Sequence, residues 1–183
     1  MATIEPSTIA LKDQRQAILR MATIEDAQIF QKHAELIVEN GAGMTALPGE
    51  IKSSAHTVEK LGKLIAHPDQ LLILAFLEDK LIGNLDFHIG KRKRLAHGGG
   101  FGMSVHPDFR GLGVGKALLE ALIHWAQANP RLERVELEVL ATNKAAIGLY
   151  KKLGFIEEGR KVDAIKYDDG RYVDDLQMVR FVR

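Results

Sequence analysis

"SVHPDFRGLGVGKALLEALIHWA", residues 104–126, decides how the rest of the chain is read. An apolar strand end runs into Arg110-Gly111-Leu112-Gly113-Val114-Gly115-Lys116 and then directly into a helix. Glycines at alternate positions let successive main-chain N–H groups approach an anion, and the helix adds its positive N-terminal end. A magnesium-nucleotide loop needs four residues between its first glycine and Gly-Lys, then Ser or Thr. Here Leu112, Gly113 and Val114 alone separate Gly111 from Gly115, and Ala117 follows Lys116. The dinucleotide fingerprint requires a glycine where Lys116 stands, in an early strand–helix–strand unit. Two readings remain: a diphosphate gripped without metal, with Arg110 and Lys116 supplying charge, or a tight turn that binds nothing.

Working outward, the helix from about 112 to 128 keeps one narrow polar stripe, Lys116, Glu120, His124 and Gln127, so it lies deep against a sheet. "VELEVL" (135–140) reads as a strand and "TNKAAIGLYKKLG" (142–154) as a helix closed by glycine. Two last strands, about 155–167 and 171–182, flank the hairpin signal Asp169-Gly170. Upstream lie "GGFGMSV" (99–105), the basic loop "KRKR" (91–94), and a hairpin of "LLILAFL" (71–77) with "LIGNLDFHI" (81–89). "AILRMA" (17–22) is a first strand. A helix follows Thr23 with Ala27, Phe30, Ala34, Ile37 and Val38 at helical spacing, and a second carries Val58, Leu61, Leu64 and Ile65 before the "HPD" stop at 67–69. Residues 39–54 are rich in glycine and turn formers, hence loop. Residues 1–16 carry little periodicity and are expected to be a flexible lead-in to one domain over 17–183. The order β-α-α-β-β-β-α-β-α-β-β predicts an α/β (α+β) fold: a mixed, mostly antiparallel seven-stranded sheet flanked by about four helices.

Composition narrows the chemistry. A net charge of +1 over 183 residues gives no global field toward nucleic acid, and "KRKR" reads as a solvated hairpin loop. The absence of cysteine removes disulfides, thiolate metal sites and a cysteine acyl-enzyme. The seven histidines show no metal-ligand spacing, so no metal is expected. No apolar run reaches membrane-spanning length and the N-terminus lacks a secretory pattern, so the expectation is a cytoplasmic protein without a membrane partner.

Arg110-x-x-Gly113-x-Gly115 resembles the acetyl-coenzyme A signature of the GNAT N-acetyltransferase superfamily. "LEVLATNKAAIGLYKKLGF" (137–155) resembles that family's second motif, Asn-x-x-Ala-x-x-x-Tyr-x-x-x-Gly-Phe, and "LRMATIEDA" its first strand and helix. The resemblance spans roughly 18–182 in the family's element order, and within the superfamily it is greatest to the ribosomal-protein alanine N-acetyltransferase-like branch. It implies the GNAT fold, splayed between the fourth and fifth strands, with acetyl-CoA as co-substrate and an amine-bearing acceptor, either a small molecule or a protein N-terminus. The pantetheine arm would lie along Met103, Ser104 and Val105 at the end of the fourth strand, beside glycines 98, 99, 100 and 102. The diphosphate would fall on the amides of Gly111, Leu112, Gly113, Val114 and Gly115, with Arg110 and Lys116 nearby.

The resemblance also implies that Asn143 bonds the pantetheine and Tyr150 protonates the departing thiolate; seven apart, they would share a helix face. Aminolysis of a thioester needs a neutral amine. At pH 7 deprotonation costs roughly 4.6 kcal/mol for a lysine-like amine and only about 1 kcal/mol for an α-amine. Glu138 stands where the alanine N-acetyltransferases keep their proton acceptor; Glu136, on the same strand face, is the fallback, and Asp86 and His88 are further candidates. The Val105 N–H would hold the oxyanion. Without cysteine, direct attack in a ternary complex is favoured. The acceptor pocket is expected between the 39–54 loop and the last hairpin, whose Asp168, Asp169, Asp174 and Asp175 either steer a cationic amine or face water. A non-catalytic acyl-CoA-binding sensor or scaffold is the alternative, and the chain is expected to be a monomer or homodimer.

Overall fold

The computed structural model describes residues 4–41, 45–50, 54–67 and 70–183. The middle of the expected 39–54 loop and the Pro68-Asp69 helix stop lie outside those residues. The elements are β1 (Ser7–Ala10), β2 (Gln16–Met21), α1 (Ala27–Asn40), α2 (Ser54–Ala66), β3 (Gln70–Leu77), β4 (Lys80–Ile89), β5 (Gly98–Val105), α3 (Val114–Ala128), β6 (Arg134–Leu140), α4 (Lys144–Lys152), β7 (Ile156–Lys166) and β8 (Tyr172–Phe181). The strands form one sheet in the order β1-β2-β3-β4-β5-β6-β8-β7. β5 and β6 pair in parallel; the other neighbours pair antiparallel.

The sheet has eight strands where seven were expected, because part of the lead-in is ordered. Ser7–Ala10 pairs with Leu19–Gln16 at the sheet edge. Four residues are too few to show a period, and the turn before β2 relies on Gln14 at φ 72° rather than on a glycine. Asp13 closes that turn by accepting hydrogen bonds from the Arg15 amide and guanidinium. The other elements fall where the hydrophobic pattern puts them, and Lys91–Arg94 sits in the exposed β4–β5 hairpin loop.

β3 explains why its sequence is apolar without alternation: both faces are buried. Leu71 and Ile73 join Leu118, Leu119 and Leu122 of α3, with Leu85, Phe87, Val135 and Met178, in the larger core. Leu72 and Leu74 face the other way, onto Leu61 and Leu64 of α2. Val58 and Ile65, expected on that buried face, are exposed.

Polar contacts fix α1 to this framework. The Arg20 guanidinium grips Asp26 through two hydrogen bonds of 2.7 Å, tying β2 to the start of the helix. Farther along, His33 Nε2 lies 2.9 Å from Ser104 Oγ on β5. Ser104 Oγ donates its one proton to Asn84 Oδ1 at 2.5 Å, so His33 must be the donor to Ser104. His33 is 5% exposed and its Nδ1 has no hydrogen-bond partner. Burial first, and the neighbouring His106 second, push its pKa down to about 4.

A histidine held neutral in the fold but titrating near 6.5 when unfolded stabilises the protein fully above pH 6.5. That contribution is lost as pH falls toward 4, because only the unfolded chain takes up the proton. The loss is about 3 kcal/mol. Denaturant unfolding at pH 7.5, 6 and 4.5 should show this decline in the parent protein, with a shallower slope in His33→Gln. Parallel slopes would show that His33 carries none of it.

Candidate active site

β5 pairs with β4 along its whole length but leaves β6 early. The β5–β6 register runs from Gly98↔Arg134 to Gly100↔Glu136, whereas β4–β5 continues to Gly83↔Val105. The direction of the freed main-chain groups follows from alternation. Gly90 donates to Gly98 O, and His106 to Ile82 O, each at 2.9 Å. In an antiparallel ladder, residues of that parity face β4 and the intervening ones face away. Met103 and Val105 therefore turn their N–H and C=O groups toward the gap. Ser104, expected to share that role, spends its main chain on Asn84 and its hydroxyl on His33 and Asn84.

The gap leads to the glycine turn. Gly111 and Gly113 adopt φ of 77° and 101°, a region that favours glycine, and a Cβ on either would meet nothing within 4 Å. Gly113 is the N-cap of α3. A Cβ on Gly115 would make ordinary contact, 3.4 Å, with both Met103 Cε and Leu149 Cδ2. Val114 is buried in the core, while Leu112 offers its carbonyl to the Lys12 amide at 3.0 Å. Arg110 donates to Val105 O at 3.3 Å and to Asn40 Oδ1 at 2.8 Å, bridging β5 and the end of α1. Lys116 pairs with Glu120 at 3.1 Å.

Met103, Ser104, Val105, Arg110, Gly111, Gly113, Gly115 and Lys116 line a cavity of about 870 Å³ whose far wall is α4; the side chains of Leu112 and Val114 turn away from it. Lys12, Lys144 and Lys152 also line it, although no motif in the sequence points to them. Lys12 sits in the short hairpin that periodicity could not reveal. Asn143 is not within the helix but caps it, its Oδ1 accepting from the Ala146 amide at 3.2 Å. That leaves its side-chain NH₂ as a donor toward the cavity. Tyr150 is buried, with its ring 5.9 Å from those of Phe101 and Phe155. Burial raises its hydroxyl to about 12.

The opposite face of the sheet is acidic around the same gap. Glu138 lies just beyond the last β5–β6 pair and is hydrogen-bonded to the Lys161 ammonium, which also stands 3.8 Å from Asp175. Lys161 holds the Glu138 carboxyl below its ordinary range. Asp175 is buried beside it and raised, by burial first and the Glu138 charge second. Glu136 is bound by Arg134 at 2.6 Å, and Arg134 also grips Glu158. Asp86 Oδ2 lies 2.9 Å from His88 Nε2. In the last hairpin Asp169 is taken by Arg171 and Asp174 by Arg160, so neither is a free carboxylate. Among the described residues no His, Cys, Asp or Glu cluster is placed to hold a metal ion. No described helix is long and apolar enough to cross a membrane.

Comparison with known proteins gives this arrangement a family. The family model for the acetyltransferase (GNAT) family matches residues 43–155. The L-amino acid N-acetyltransferase AaaT of Escherichia coli K12 is 33% identical over 119 residues, 64% of this chain and 72% of that protein. The ribosomal protein bS18-alanine N-acetyltransferase of Escherichia coli K12 is 41% identical over 71 residues, 39% of this chain and 47% of that one. A GNAT-family acetyltransferase from Streptococcus pneumoniae superposes with a TM-score of 0.85 at 28% identity, covering 90% of this chain and 99% of that one. At 17% identity, yncA of Salmonella typhimurium with its cofactor acetyl-CoA attests the fold alone, with a TM-score of 0.81 over 91% and 94% of the two chains. From the strand that parts from its neighbour to the glycine turn and the capped helix, the chain belongs to the acetyltransferase (GNAT) family, as an acetyl-CoA-dependent N-acetyltransferase.

Proposed function

We propose that the protein acetylates an α-amine by direct attack in a ternary complex. The observation that carries this reading is the free edge of Met103 and Val105 running into the open turn at Gly111 and Gly113. Acetyl-CoA is a substrate that supplies an activated thioester. Met103 offers a gap-facing donor and acceptor and Val105 a donor, as an amide-rich arm needs, and one of their N–H groups polarises the thioester oxygen. The Gly111–Gly115 amides, with Arg110, Lys12 and Lys116 around the same cavity, take the diphosphate. The Asn143 NH₂ donates to the arm from the other wall. Names of relatives support an α-amine: one acts on L-amino acids, another on an alanine of a ribosomal protein.

Glu138 accepts the proton that the acceptor ammonium must lose. While bound to Lys161 it is a weak base, so the incoming ammonium takes the place of Lys161 as its ionic partner. Over the cycle the amine's nitrogen–carbon bond forms and the carbon–sulfur bond breaks. The thiol keeps one of the two protons the nitrogen loses, and solvent receives the other. Tyr150 helps the thiolate leave, as a hydrogen-bond donor more than as an acid. Full proton transfer from a phenol at about 12 to a thiolate near 8.5 is uphill by about 5 kcal/mol.

Thiol release from acetyl-CoA with a panel of α-amines, lysine ε-amines and polyamines tests the reading. α-Amines should give the highest kcat/KM, and a silent panel would overturn it. Glu138→Gln should lower kcat by about 100-fold or more, with coenzyme affinity unchanged in calorimetry. Full activity in that variant would remove Glu138 from the mechanism. Tyr150→Phe should lose about 10- to 100-fold in kcat in single-turnover assays, because the thiol leaves tolerably unaided. A loss on the scale of total inactivation would mean that the phenol does more than donate a hydrogen bond.

A further inference from the structure

The acceptor face of β5 is bare where its neighbours are acidic. Gly100 and Gly102 share that face with Ser104, and Asp86 on β4 is the cross-strand partner of Gly102. Glu136 is the partner of Gly100 on the other side, so Glu138 stands one step on, across the gap from Gly102. Asp86 and Glu138 thus flank a residue without a side chain. Asp86 also leans over it: a Cβ on Gly102 would lie 3.1 Å from Asp86 Oδ1. The second oxygen is committed to His88 Nε2 at 2.9 Å. An ionised carboxylate only accepts, so His88 carries its proton on Nε2 and fixes the Asp86 rotamer. Oδ1 is left over Gly102.

We infer that Asp86, steadied by His88, is an amine-binding residue: it receives the acceptor's α-ammonium over Gly102, opposite Glu138. This rests on the α-amine reading above and adds to it a division of labour. Asp86 holds the ammonium in place by a charge-assisted hydrogen bond, and Glu138 takes the proton. An α-amine with a free carboxylate beside it brings a second anion toward Asp86, whose partner is the His88 imidazole rather than a lysine or arginine, so the site favours α-amines without one. A methyl at Gly102 would crowd Oδ1, which would have to give by a few tenths of an ångström.

L-Alaninamide, which carries the ammonium and no carboxylate, is the probe, with L-alanine as its anionic counterpart. Asp86→Asn should raise the KM for L-alaninamide about 10- to 100-fold, the loss expected for one charge-assisted hydrogen bond, with kcat within about threefold. Coenzyme affinity and the melting temperature should stay as in the parent, and Asp86→Glu should recover part of the KM. In the parent protein L-alaninamide should be preferred over L-alanine. An unchanged KM in Asp86→Asn would overturn the assignment, as would a loss that falls equally on kcat and coenzyme binding. No turnover of L-alaninamide by a parent protein active on other panel amines would also overturn it, leaving acetyl transfer standing. A silent panel would remove both.

Discussion

The parting of β5 from β6 is the constraint on which the site depends. A sheet interior normally satisfies every main-chain group by pairing. Here pairing stops at Gly100↔Glu136, while β4 holds the other edge of β5 as far as Val105. The N–H groups of Met103 and Val105 and the Met103 carbonyl are left pointing into a gap, while the Val105 carbonyl accepts from Arg110. The strand keeps this shape because it is anchored elsewhere. Ser104 is bonded to His33 and Asn84, Gly99 packs against the Phe87 ring, and Arg110 ties Val105 to Asn40 at the end of α1. The same packing that builds the core therefore prepares a strand-shaped opening for an amide-bearing ligand.

The charges on the two faces divide the work. Lys12, Arg110 and Lys116 gather on the side of the glycine turn, whose amides and helix end favour a diphosphate. Carboxylates gather on the other face, each already given a cationic or imidazole partner: Glu138 with Lys161, Glu136 with Arg134, Asp86 with His88. Such pairs keep an acidic surface folded before a substrate arrives. They also set a threshold, since an acceptor ammonium must outcompete Lys161 for Glu138. Both cations are shared: Arg134 between Glu136 and Glu158, and Lys161 between Glu138 and Asp175.

Much of this was legible in the sequence, and the reasons for the exceptions are physical. Long apolar runs announced β3 and α3, and the alternate glycines announced the turn, because those patterns are imposed by burial and by φ. β1 stayed hidden since four residues carry no period and its turn uses Gln14 where a glycine would have been a signal. Lys12 was invisible with it. Asn143 was placed on the helix face, whereas it caps the helix; spacing alone does not separate a first turn from the residue before it. Glu138 could be picked out, but its pairing with Lys161 joins positions on separate strands and is a product of the tertiary fold. The reach of Asp86 over Gly102 is of the same kind.

Residue-resolved amide hydrogen exchange, with and without acetyl-CoA, tests the central claim most directly. Met103 and Val105, whose amides face the gap, should exchange markedly more slowly once acetyl-CoA is added. Gly102 and Ser104, already paired with β4, should change little. Equal protection along the whole strand, or none at Met103 and Val105, would contradict a coenzyme held by the free edge of β5.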